Sequence, residues 1–177
     1  MNNIRTYLLF ALVAILYTSM PVLLNAQEYE LTSKNGNFSI TFPGEPTLTS
    51  DVVESAVGDL DLHSYIYDGK EESAYLVAYI DYPADMVEES DDDVLLESAL
   101  EGAIESWGFD VDEVEKQTKW HSGYKSIYID ESKDNTYAVY EVMLVGNRLY
   151  QLAILQYNEK IKKKEISAFF ESFTLLQ

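Results

Sequence analysis

Between residues 38 and 157 the apolar residues recur with a period of two in one short segment after another. Only over residues 91–107 does the spacing change to steps of three and four. A chain patterned this way does not alternate strand and helix as a doubly wound parallel sheet requires; it folds its strands in runs of antiparallel hairpins. The first segment, Phe38-Ser39-Ile40-Thr41-Phe42, alternates strictly and is stopped by Pro43-Gly44-Glu45-Pro46. Strands are expected at residues 48–57, 60–68 and 74–82, with Gly58-Asp59 and Asp68-Gly69-Lys70 as turns, until Tyr82-Pro83 ends the series.

Leu96, Ala99, Leu100, Ala103, Ile104 and Trp107 then form one stripe of a helix over residues 91–107. Ser90 is the expected N-cap, Asp91, Asp92 and Asp93 suit the positive helix start, and Gly108 suits its end. Strand patterning resumes at residues 111–119, 125–130, 137–145 and 149–157. The joins are Ser122-Gly123, Lys133-Asp134-Asn135 and the two-residue hairpin Gly146-Asn147. A second helix is expected at residues 159–172, capped by Asn158, with Ile161, Ile166, Phe169, Phe170 and Phe173 on one side. One face of the 60–68 strand carries Leu60, Leu62 and Ile66 and the other His63, Tyr65 and Tyr67. Both sheet faces must therefore be covered, which implies an α+β domain with helix on either side of a mainly antiparallel sheet.

Ahead of this domain, Arg5 is followed by the unbroken apolar stretch from Leu8 to Leu16, and Leu24-Asn25-Ala26 precedes the acidic turn at Glu28. That order reads as a signal peptide over residues 1–26, cleaved after Ala26, with a single domain at residues 27–177. Thr18, Ser19 and Pro21 interrupt the apolar run before it reaches the roughly 20 residues a bilayer span needs. No cysteine is present, so neither a lipidated anchor nor a disulfide is available. The expectation is an exported protein, periplasmic or secreted, that is soluble and makes no stable membrane insertion once cleaved.

Loss of Arg5 makes the formal net charge of −19 one unit more negative. A surface that acidic repels nucleic-acid phosphates and anionic lipid headgroups, so nucleic acid is excluded as a partner. The basic cluster of Lys160, Lys162, Lys163 and Lys164 is flanked by Glu159 and Glu165 and reads as a solvated helix face.

The stretch 38–46, the run Asn147-Arg148-Leu149-Tyr150-Gln151-Leu152 and the ending Phe169-Phe170-Glu171-Ser172-Phe173 resemble the exported bacterial branch of the PsbP/Mog1-like proteins. The resemblance implies a three-layer α/β/α sandwich and a non-enzymatic binding or assembly accessory. It brings no functional residue with it, because fold does not fix function.

Catalytic signatures are absent: no cysteine nucleophile, no G-x-S-x-G, no H-E-x-x-H, no phosphate loop and no dinucleotide fingerprint, with His63 and His121 as the histidines. A serine–histidine–acid arrangement assembled in space stays open. No cofactor is expected. Calcium is the one metal with a spacing argument, since Asp130, Ser132, Asp134 and Glu141 fall at EF-hand positions; Asn135, however, stands where that loop needs glycine, and strand patterns flank it. The i, i+4 ridge of Asp93, Glu97, Glu101 and Glu105 faces either solvent or a basic partner. Of the 14 tyrosines, Tyr65, Tyr67, Tyr75 and Tyr79 lie on neighbouring strands. They either pack beneath the second helix or line an open groove for a protein or glycan.

The function expected from these features is a non-catalytic exported accessory that binds another protein at the cell envelope. Small-ligand or glycan binding in an aromatic cleft of the sheet is the alternative. A hydrolase using dispersed carboxylates is the third.

Overall fold

The computed structural model describes residues 28–55, 58–70 and 72–176; the expected signal peptide at residues 1–26 lies outside the described residues. Its strands are β1 (Tyr29–Ser33), β2 (Phe38–Phe42), β3 (Thr47–Ser55), β4 (Gly58–Asp68), β5 (Ser73–Asp81), β6 (Gln117–His121), β7 (Tyr124–Lys133), β8 (Thr136–Val145), β9 (Arg148–Tyr157) and β10 (Thr174–Leu175). The helices are α1 (Ala84–Glu89), α2 (Asp92–Ser106) and α3 (Lys163–Phe170), with a 3₁₀ turn at Val111–Glu113. β3-β4-β5-β9-β8-β7-β6 form a seven-stranded sheet in which every neighbouring pair is antiparallel, and β1-β2-β10 form a separate three-stranded one.

The large sheet buries both faces, as its two-sided apolar pattern requires. α2 covers one of them, setting Leu95, Leu96, Leu100 and Ile104 against Ile127, Ile129, Tyr140, Val142 and Leu149. The small sheet and α3 cover the other. There Phe38, Ile40 and Phe42 from β2, with Phe169, Phe170 and Phe173, meet Tyr75, Val77, Tyr79, Met143, Tyr150 and Leu152. The strict alternation of β2 is the cause: each inward residue is essentially fully buried, worth about 1.5–3 kcal/mol per side chain. The outcome is a three-layer α+β sandwich whose second outer layer is part helix and part sheet.

Several local expectations are corrected. The N-cap of α2 is Asp91, whose carboxylate accepts from the Asp93 amide at 2.9 Å, in place of Ser90. The expected strand at 111–119 splits into the 3₁₀ turn and a shorter β6, because Asp110 caps a turn by accepting from the Asp112 amide. Asn158 does not cap α3. It takes a left-handed φ of 64° and donates through Nδ2 to Glu72, so the helix starts later, at Lys163, leaving Ile161 buried ahead of it. Tyr82-Pro83 ends β5 as expected but leads into the short α1, with Pro83 as its N-cap. The Gly146-Asn147 hairpin is as expected, joining Val145 to Arg148.

Candidate functional site

β6, β7 and β8 bring three polar side chains together on the face shared with α3. In the ladder Gln117 pairs with Tyr128 and Tyr128 with Glu141, so Lys119, His121, Ser126, Tyr128 and Glu141 all point to that side. Glu141 is a buried acid between Val139 and Met143. Ser126 donates its hydroxyl to Glu141 Oε1 at 2.6 Å, and His121 Nδ1 lies 3.7 Å from the same oxygen. His121 Nε2 donates to the Phe173 carbonyl at 3.0 Å, and the ring sits edge-on to Phe173. Lys119 lays its ammonium over the Tyr128 ring, 2.9 Å from the centroid.

With the Nε2 proton committed to a carbonyl, a neutral imidazole would turn its Nδ1 lone pair toward a carboxylate; the charged ring avoids this. The Glu141 carboxylate raises the His121 pKa above its ordinary 6.5 against the opposing effect of burial, and the Phe173 carbonyl adds to the rise. Burial pushes Glu141 up, but His121, Ser126 and Lys119 outweigh it and hold its pKa below 4.5. The pair is thus an ion pair, with Ser126 hydrogen-bonded to the acid instead of the base. A nucleophilic triad needs serine to give its proton to histidine. Here the serine is fully buried and both imidazole nitrogens are engaged, so the cluster holds the C-terminal segment to the sheet and has no activated nucleophile.

Beside this cluster lies a cavity of about 210 Å³ lined by Lys119, His121, Tyr128, Glu141, Ile166 and Phe170, among others. A larger groove of about 430 Å³ opens between the end of β2 and α3, with Phe42, Phe169 and Tyr75 as its apolar wall and Glu28, Lys164 and Glu165 among its polar residues. Burial, reinforced by Glu165, pushes Tyr75 up to about 12, so its phenol stays protonated.

The residues singled out in the sequence are distributed as follows. Tyr75 and Tyr79 are buried, and Tyr65 and Tyr67 pack against the same core. Tyr65 meets Phe38 edge-on at 5.8 Å, Tyr75 meets Phe169 at 5.2 Å, and Tyr67 lies near Tyr75 at 6.1 Å. β2 and α3 therefore cover most of the tyrosine face, and Tyr75 forms part of the wall of the groove beside α3. His63 lies tilted against Tyr79, with ring centroids 4.8 Å apart, and shares a hydrogen bond of 2.8 Å with Ser50.

On the acidic ridge, Lys125 pairs with Asp93 and Lys116 with Glu101 at 3.3 Å, which offsets part of its charge within the chain. The EF-hand spacing does not fold as a loop. Asp134 and Asn135 take left-handed φ values of 49° and 65° as the two central residues of the β7–β8 hairpin, and Glu141 lies along β8 opposite Tyr128. Asp130, Ser132 and Asp134 are exposed while Glu141 is committed to His121 and Ser126. Among the described residues no group of three or more histidine, cysteine or acidic side chains could hold a metal.

No family model matches the chain, and no curated protein is similar to it at a significant level. Among solved structures it is similar to the solution structure of cyanobacterial PsbP (CyanoP) from Synechocystis sp. PCC 6803, with a TM-score of 0.57 and 9% identity over 90% of this chain and 98% of that one. The fold is PsbP-like. At that identity the likeness extends to the fold, with no residue roles attached.

Proposed function

We propose that the protein is a non-catalytic accessory, exported from a bacterial cell, that binds another protein at the cell envelope. The observation that carries this reading is where the exposed apolar groups lie. Both faces of the large sheet are covered, yet four of the eight exposed large apolar residues among those described, Leu48, Val52 and Val53 on β3 and Trp120 on β6, lie on its two edge strands. Interaction surfaces are where such groups belong on a chain this acidic. The PsbP-like fold and the leader-like residues 1–26 support the reading.

Enzyme chemistry has no such support. Glu141, the buried acid among the described residues, is held below the ordinary carboxylate range, the reverse of what a general acid requires, and the one buried serine–histidine–acid cluster lacks a nucleophile–base bond. A second reading, small-ligand binding, rests on the groove of about 430 Å³ at Phe42, Tyr75 and Phe169, which takes the place of the cleft expected on the sheet. Among the described residues no helix is long and apolar enough to cross a membrane.

Chemical crosslinking in the native host, followed by affinity capture and mass spectrometry, tests the proposal. One recurrent envelope protein is the expected result. Recovery of the protein alone, together with a ligand retained in the groove, would favour the second reading.

A further inference from the structure

Open sheets are normally protected at their edges by short strands, lysine, proline or bulges, because an unpaired edge is a template for another strand. The two edges of the large sheet differ. β6 has five residues and carries Lys119. β3 has nine, contains neither lysine nor proline, and runs without a bulge from Thr47 opposite Ile66 to Ser55 opposite Gly58. Its outer side pairs with no strand among the described residues. Along it Leu48 is 52% exposed, Val52 64% and Val53 39%.

The charge around this edge is of one sign. From residue 47 to residue 68 there is no lysine or arginine, whereas Asp51, Asp59, Asp61 and Asp68 are all exposed. Leu48 and Val52 share a face with Asp61, and Val53 shares the opposite face with Asp51. Two copies pairing edge to edge would bring these acids together, and like charges facing each other across strands are destabilising. An incoming strand that alternates apolar residues with lysine or arginine puts its basic side chains on one face, beside Asp51, and its apolar side chains on the other, beside Leu48 and Val52.

We propose that β3 is a docking edge for an extended segment of another protein in which apolar residues alternate with lysine or arginine, added to the sheet by backbone hydrogen bonding. This rests on the protein-binding reading above and names its surface and the chemistry of its partner.

The test is backbone amide exchange over β3 in the purified chain, with an alternating Lys–Val nonapeptide, with an alternating Glu–Val nonapeptide, and without peptide. At ten times its Kd the Lys–Val peptide slows exchange of the outward β3 amides about tenfold. The effect weakens with salt, and Val52→Lys or Asp51→Lys abolishes it while leaving the unfolding midpoint unchanged. Equal protection by the Glu–Val peptide would overturn the charge requirement, and no protection by either would overturn the edge. Protected β3 amides without peptide, accompanied by a concentration-dependent dimer, would make a second copy the occupant and overturn the proposal. A captured partner whose crosslinks avoid β3 would refute the edge yet leave the protein-binding reading standing, whereas the absence of any partner removes both.

Discussion

Arg148 and Asp81 face each other across the β5–β9 ladder and are joined by two parallel hydrogen bonds, Nε to Oδ1 at 2.6 Å and Nη2 to Oδ2 at 2.7 Å. The remaining arm, Nη1, donates to the Asn35 carbonyl at 2.8 Å, and the guanidinium lies 4.8 Å from the Tyr79 ring centroid. Two residues on, the Tyr150 hydroxyl donates to the Gly36 carbonyl at 2.8 Å. The run 147–152 thus ties the β1–β2 turn of the small sheet to the large one. This is a structural task, and it explains why that run resembles a fold family without indicating an activity.

Because Arg148 serves three partners and Asp81 only one, their replacements are unequal. Arg148→Ala is expected to lower unfolding free energy by about 1.5–3 kcal/mol, and Asp81→Ala, on a half-exposed carboxylate, by about 0.2–1 kcal/mol. Arg148→Lys keeps the charge but loses the fork, and should fall nearer to alanine than to wild type. Urea titrations of the three variants check the order; equal losses would mean that the Asn35 and Tyr79 contacts contribute nothing.

The His121–Glu141 pair gives stability a defined pH dependence. His121 has a raised folded pKa, so its contribution is complete below about 6.5 and is lost as pH rises through that higher value. Glu141 has a lowered one, so its contribution is complete above about 4.5 and is lost as pH falls through the lower value. The pair is fully effective between these limits. In His121→Gln the alkaline loss should vanish from a pH series of unfolding midpoints. Either single replacement by an apolar residue costs about 3–5 kcal/mol by stranding the other partner, and the double replacement His121→Phe with Glu141→Leu costs less than either.

Calcium should leave thermal unfolding unchanged. A site filled at a hundred times its Kd would add about 2.7 kcal/mol, a shift of several degrees. Asn135→Gly, at a left-handed φ of 65°, should be tolerated without loss, since a hairpin turn accepts glycine there. A calcium-dependent rise in the midpoint, removed by Asp130→Asn, would restore the metal reading.

Gly44 lies against the Tyr67 ring so closely that an added Cβ would collide with it. Gly44→Ala is expected to cost about 1–3 kcal/mol as the ring shifts or the turn after β2 deforms. A variant as stable as wild type would show that Tyr67 moves freely.

The hairpins were legible in the sequence because alternation and turn residues are local signals. Phe38, Ile40 and Phe42 announce their buried face, and Gly146-Asn147 its turn. The separate small sheet was not legible, since β10 is two residues long and pairs with β2 from the far end of the chain. Asn158 misled because its short polar side chain suits a helix cap and a left-handed turn equally well. The His121–Glu141 contact spans β6 to β8 across β7 and leaves no motif. Its one trace was Glu141 itself, a lone acid between Val139 and Met143 on a strand face otherwise made for the core. The tyrosines were placed on the correct face, but whether that face stayed open depended on how β2 and α3 pack, which periodicity does not encode.

The most direct test of the central claim is site-specific photo-crosslinking in the native host, with a photoreactive residue at Leu48, Val52, Glu97 or Trp120 in turn. The account requires one recurrent protein adduct from Leu48 and Val52, absent when Val53 is also replaced by lysine. No adduct at any of the four positions would contradict a protein-binding role altogether.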